Sequence, residues 1–393
     1  MPLKVLMLGW ELPPYNSGGL GVACFGLARS LASQGIKITF VLPQKQDFNI
    51  DFLDLIFADI KLKEALSSSY TTATSNFDKI NLGNPPSDFV RAALLFGKRV
   101  GELAQKYSPD IIHAHDWLTF PAGIAAKQVT GKPLVSHVHS TEIDRTGGHF
   151  PNPQVFEIEK KGLEYSDRVV SVSNFTKSLL VSNYGISSGK ISIVHNGCDE
   201  MTKRALSPAL VALKDLGYKV VLYLGRITLQ KGPEYFIRAA KKVSEYNPKT
   251  IFVVAGSGDM EMRMISEASN LGIMDKVMFT GFLRGDEKDK IYQAADVYVM
   301  PSVSEPFGIT PLEAVANGTP VLVSKQSGVS EVLNHVLKTD FWDIDDMADK
   351  ILAVLKHKSL TADLRAESSK ELPNINWDKA AEKCIGIYNQ LIG

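Results

Sequence analysis

Residues 302–331 read SVSEPFGITPLEAVANGTPVLVSKQSGVSE, and this stretch decides the fold. It follows DVYVM, an apolar run of strand character, so Glu305 is expected just past a strand's carboxyl end, where open α/β sheets bind ligands. A short helix follows: Thr310 suits the N-cap, Pro311 the first helical position and Glu313 the third, and Gly318 suits the left-handed residue that ends it. TPVLVS then forms another strand. Two carboxylates eight residues apart thus stand at one end of a sheet beside the positive end of a helix, a place that suits a sugar diphosphate. Structural roles also fit both: Thr310-x-x-Glu313 matches a capping box, and Glu305 a solvated loop acid.

Outward from this block the chain alternates strands and helices, which implies parallel sheets covered by helices on both faces. KVLMLGW (4–10) is a continuous apolar run of the kind buried in a parallel sheet. The Gly-rich loop ELPPYNSGGLG follows, then a helix over VACFGLARSLASQG that stops at Gly35. Gly18 and Gly19 would let backbone amides approach a diphosphate, or the loop simply connects two elements. IKITFVLP is a second strand. Residues 44–88 then lose periodicity around the polar tract SSSYTTATS and are expected to form an excursion or mobile loop. DIIHAHD, KPLVSHVHS, RVVSVSN and KISIVHNG continue the strand series, and the break at 195–210 marks a domain boundary. KVVLYLGRITLQKGPEYF restarts the theme, with Arg226 and Lys231 between a strand end and a helix start, where cations would neutralise a diphosphate. Gly225-x6-Gly232 does not match a P-loop.

Length and composition bound the function. With 393 residues, two domains of about 200 are the prior. Lys plus Arg equals Asp plus Glu at 43 each, which argues against nucleic acid as a partner. Cys24, Cys198 and Cys384 are far apart and odd in number, against a disulfide framework or a cysteine-based zinc site and in keeping with a reducing cytoplasm. The start resembles no signal peptide, and no run of about 18 apolar residues occurs. The weakly basic KLKEALSSS, with Lys61 and Lys63, is the one hint of peripheral membrane contact. The two His-x-His strings, His113 with His115 and His137 with His139, each put two imidazoles on one face of a strand end. They fit a metal or hydrogen-bonded structural histidines. Asp343-x-Asp345 precedes an amphipathic helix and reads as an N-cap rather than a metal ligand pair.

The string E-P-F-G-x4-E with G-T-P-V-L-V-S, together with GGLG, HAHDW, HVHSTE and G-R-x4-K-G, resembles the family 4 (group 1) retaining glycosyltransferases of GT-B fold. The likeness spans nearly the whole chain, with the glycogen and starch synthases nearest in feel. One departure is Asn16, where those synthases carry the lysine of Lys-x-Gly-Gly-Leu. The resemblance implies two Rossmann-like doubly wound parallel-sheet domains facing across a cleft. These are residues 1–200, onto which a terminal helix 376–393 packs back, and 211–372, which binds the nucleotide. It implies metal-independent transfer of a hexosyl group, glucosyl first, from a UDP- or ADP-sugar to a hydroxyl, with an α-glucan the first acceptor. Sucrose, trehalose, sugar-phosphate, cell-wall or glycolipid acceptors and a nucleotide-sugar epimerase are the alternatives. On this likeness His139 lies over the transferred sugar and Asp116 near the acceptor or sugar hydroxyls, while Arg226 and Lys231 hold the diphosphate. Glu305 takes the sugar hydroxyls and Glu313 the ribose, Gly308, Ile309 and Thr310 orient the hexose, Phe282 and Leu283 hold the base, and Gly256 and Ser257 border the pocket. No cofactor and no metal are implied, and the oligomeric state is left open.

Overall fold

The computed structural model describes residues 2–15, 18–60, 88–199 and 204–393. Asn16, Lys61, Lys63 and the SSSYTTATS tract lie outside the described residues. The chain divides into two compact units, 1–197 together with Asn376–Gly393, and Cys198–Ile375.

The first unit contains the strands β1 (Lys4–Leu8), β2 (Lys37–Leu42), β3 (Asp54–Phe57), β4 (Ile111–His115), β5 (Leu134–Val138), β6 (Arg168–Ser171) and β7 (Ile191–Ile193). They form one sheet in the order β3-β2-β1-β4-β5-β6-β7, every described pairing parallel. The second contains β8 (Lys219–Leu224), β9 (Thr250–Ala255), β10 (Val277–Gly281), β11 (Val297–Met300), β12 (Val321–Ser324) and β13 (Leu337–Thr339). Its sheet runs β10-β9-β8-β11-β12-β13, again parallel. Consecutive residues of β4, β5, β11 and β12 are all buried, as strands covered on both faces must be. In each sheet the chain starts in the middle, builds outward to one edge and then returns to build the other. The crossover direction therefore reverses once, between β1 and β4 in the first sheet and between β8 and β11 in the second. In doubly wound folds the crevice outside the strand ends at this reversal is where ligands bind.

Two expectations are corrected. Residues 54–57 are not part of a structureless excursion but form β3, the edge strand, with Thr39 opposite Asp54; one exposed and three half-buried residues are too few to show a period. The Thr310–Glu313 capping box does not exist. The helix Ile309–Ala316 is capped two residues earlier, by Gly308 at φ 100°, and no side chain caps it. Only glycine takes that left-handed backbone without strain, and it sets the helix start. Asp343, by contrast, caps the helix Ile344–Lys356 by accepting from the Asp346 amide at 3.0 Å.

The terminal helix Trp377–Ile392 packs on the helix Gly19–Ser33. A Cβ at Gly26 would lie 2.3 Å from the Trp377 ring, so glycine there is what seats the indole. Ser30 also hydrogen-bonds Asp378, and the Gln34 amide donates to the Asp378 carbonyl at 3.1 Å. Among the described residues no helix is long and apolar enough to cross a membrane.

Candidate functional site

In the second unit the loops after β8 and β11 interlock at the reversal point. Gly232, left-handed at φ 60°, leads into the helix Pro233–Tyr246, and a side chain there would collide with the Pro301 carbonyl at 2.2 Å. The Val303 amide donates to the Gln230 carbonyl at 2.9 Å. This brings the Lys231 ammonium onto the buried Glu305 carboxylate, which also accepts from the Ser302 hydroxyl at 3.3 Å. Glu305 is fixed by its backbone, donating to the Gln326 carbonyl and accepting from Gly328, each at 2.9 Å. The Arg226 guanidinium donates to Gln230 Oε1 at 3.3 Å, and its carbonyl accepts from the Tyr223 hydroxyl at 2.7 Å.

Glu313 is held by partners that the sequence reading did not foresee. Lys288 donates to its Oε1 at 2.6 Å and Tyr292 to its Oε2 at 3.1 Å, both from the helix Gly285–Ala294. Burial, with Glu313 beside it, pushes the Tyr292 phenol well up, so that hydroxyl stays a donor. Thr310, freed from capping, lies 2.8 Å from the Tyr298 hydroxyl. Gly308, Ile309 and Thr310 open their helix beside Glu305, and a Cβ at Gly308 would sit 3.3 Å from Glu305 Cγ. Gly256 follows β9 so closely against the next loop that a Cβ would fall 1.9 Å from the Gly225 carbonyl. Ser257 next to it is exposed and ties its carbonyl to the Ile227 amide at 2.9 Å. Phe282 and Leu283 follow β10, with the half-exposed Phe282 ring 5.0 Å from the Arg284 guanidinium. Arg226, Lys231, Gly256, Ser257, Phe282, Leu283, Glu305 and Gly308 therefore follow the carboxyl ends of strands in one sheet.

In the first unit the equivalent edge carries Gly18, Asp116 and His139. Gly18 is the N-cap residue of the helix Gly19–Ser33. Asp116 takes a left-handed φ of 61°, and its Oδ1 accepts from the amides of His139 at 2.6 Å and Ser140 at 3.3 Å. These bonds shape the turn after β5. Behind that turn lies a buried network absent from the sequence reading. Arg145 donates to Glu142 at 3.0 Å, Glu159 at 2.7 Å and the Ser140 carbonyl at 3.3 Å, and Tyr184 also bonds Glu159. Glu142, Arg145, Glu159 and Tyr184 are polar residues spread over 43 positions of ordinary helical pattern, so no local signal marks them.

The two His-x-His strings form one ladder, with His115 opposite His137 in register. His113 Nδ1 lies 2.6 Å from the Tyr388 hydroxyl and its Nε2 3.2 Å from His137 Nδ1; His115 Nδ1 lies 2.9 Å from His139 Nε2. His115 Nε2, His137 Nε2 and His139 Nδ1 are buried without a hydrogen-bond partner. Burial is the first cause holding all four imidazoles far below their usual pKa, His113 and His139 down to about 3, so they are neutral at pH 7.

Comparison with known proteins agrees with this geometry. The family model for Glycosyltransferase Family 4 matches residues 17–201, and that for Glycosyl transferases group 1 matches 211–371. An uncharacterised glycosyltransferase of Methanocaldococcus jannaschii is 31% identical over 98% of this chain and 98% of its own. A glycogen synthase of Mycobacterium tuberculosis is 27% identical over 98% and 94%. HepE of Anabaena, solved with UDP and glucose, superposes with a TM-score of 0.73 at 18% identity, covering 99% of this chain and 100% of its own. Two parallel-sheet domains with the reversal-point geometry, and relatives matching end to end, show that this chain belongs to the glycosyltransferases of GT-B fold.

Proposed function

We propose that the protein transfers a glucosyl group from UDP- or ADP-glucose to a growing α-glucan, retaining the anomeric configuration and needing no metal or cofactor, in the cytoplasm. The observation that carries this reading is the Lys231–Glu305 pair at the reversal point of the second sheet. There an ammonium and a buried carboxylate are held together, with Arg226 on the same loop. A diphosphate entering the site draws the Lys231 ammonium from Glu305 and leaves the carboxylate to accept hexose hydroxyls. Lys231 and Arg226 then stabilise the charge that develops on the departing diphosphate, the term that often dominates such catalysis. Glu313, its second lone pairs still open, accepts from the ribose. His139 meets the sugar, and Asp116 acts through the His139 backbone as a positioning residue. The α-glucan acceptor is supported by the glycogen synthase relative, alike along the whole chain.

A thermal-shift panel of nucleotide sugars tests the donor. A ligand at 100 times its Kd adds about 2.7 kcal/mol of apparent stability. The panel is followed by transfer to glucan oligomers with NMR of the product anomer. An inverted product, a donor isomerised with no acceptor present, or activity lost to EDTA and restored by manganese would each overturn the reading.

A further inference from the structure

The first unit brings together three groups that are far apart in sequence. Cys24 comes from the helix Gly19–Ser33, His115 from the end of β4 and His139 from just past β5. Their ligating atoms all lie within 4.8 Å of one another. The 2.9 Å between His115 Nδ1 and His139 Nε2 is close to the roughly 3.3 Å that separates two nitrogens on a tetrahedral ion with bonds of about 2.0–2.1 Å. The two imidazoles now meet in a hydrogen bond across that contact, whose proton would move to the donor ring's far nitrogen when an ion binds.

We propose that Cys24, His115 and His139 form a site for a divalent ion of the zinc class, and that its occupation withholds His139 from the transferred sugar. One thiolate and two imidazoles are a borderline-soft set, which selects zinc over magnesium or calcium. On binding, the Cys24 thiol releases its proton to solvent as the sulfur–metal bond forms. Each imidazole keeps one proton, on the nitrogen turned away from the ion, and water takes the fourth position. The inhibitory consequence rests on the role given to His139 above; the binding does not.

The test titrates the EDTA-treated full chain with cobalt(II) and, separately, assays transfer in micromolar zinc. One cobalt per chain with a sulfur-to-cobalt charge-transfer band is expected. Cys24→Ala should lose the band, bind zinc more than about a hundredfold more weakly than wild type, and keep its transfer activity in zinc that silences wild type. Should that variant fold poorly, X-ray absorption at the zinc edge of the wild-type protein reports a sulfur neighbour directly. Binding with no sulfur signature would put the ion on the neighbouring trio His113, His115 and His137 and overturn the proposal. So would Cys24→Ala binding zinc as wild type does. A sulfur-bound ion that leaves transfer untouched would uphold the site and remove His139 from the sugar.

Discussion

Lys231 and Glu305 show how one pair can be both structure and chemistry. The carboxylate is buried, so removing its cation leaves a charge that, among the described residues, the Ser302 hydroxyl alone still helps to satisfy. Lys231→Ala is therefore expected to lower turnover by about a hundredfold or more and also to lower the melting temperature. Lys231→Met with Glu305→Gln should restore the melting temperature without restoring turnover. If Lys231→Ala turned over like wild type, the diphosphate clamp would be wrong. Glu313 separates differently, because no capping bond to Thr310 exists. Glu313→Gln keeps an acceptor for Tyr292 but gives up the charge that Lys288 meets at 2.6 Å. Hydrogen bonds to charged groups are worth about 1.5–3 kcal/mol against about 1 for neutral ones, so affinity for the nucleoside diphosphate should fall about tenfold. Calorimetry on this variant and on Lys288→Met decides: equal loss in both would make Glu313 an anchor for the helix Gly285–Ala294 and not a ribose ligand. The sequence placed Glu305, Arg226 and Lys231 in loops that follow apolar runs and Glu313 in the first turn of the next helix, which puts all four at one end of the sheet. It could not name Lys288 or Tyr292, which lie 25 and 21 residues from Glu313 and meet it only through packing.

At the scale of elements, the strands were legible wherever four or more buried residues ran together, as in β1, β4, β8 and β11, since burial on both faces leaves an unbroken apolar string. The helix start at 309 was not, because the capping pattern and the glycine's left-handed turn compete for the same few residues, and propensity does not rank them. Loop glycines are a sharper test of this architecture than the helices are. At Gly256 φ is 145° and an added Cβ would lie 1.9 Å from the Gly225 carbonyl, backbone that cannot step aside without parting β8 from the next loop. Gly256→Ala should cost more than about 2 kcal/mol in the second unit. Gly225→Ala, with open space around its Cβ, should cost well under half as much. Urea unfolding followed in the second unit distinguishes them, and equal midpoints would mean the loops after β8 and β9 do not pack as closely as described.

For the whole molecule, acid is the sharpest probe, because the first unit holds four imidazoles in one ladder, three buried and His139 half-buried. Each is held neutral by burial, with folded pKa far below the usual 6.5. Above pH 6.5 neither the folded nor the unfolded chain protonates them, and their contribution to stability is fully present. As pH falls from 6.5 toward about 3 the unfolded chain takes protons that the folded chain refuses, and stability is lost at about 1.4 kcal/mol per pH unit for each histidine. One group opposes this. Burial pushes Glu159 up to about 7 against the pull of Arg145 and Tyr184, so between pH 7 and its ordinary 4.5 the folded state holds a proton that the unfolded state has lost. Four histidines less one glutamate leave a net uptake of about three protons when the first unit unfolds at pH 5.5. Calorimetric unfolding in two buffers of different ionisation enthalpy measures that number directly. An uptake near zero would mean the ladder is already charged in the folded state and cannot be the dry, neutral cluster whose nitrogens lie 2.9–3.2 Å apart.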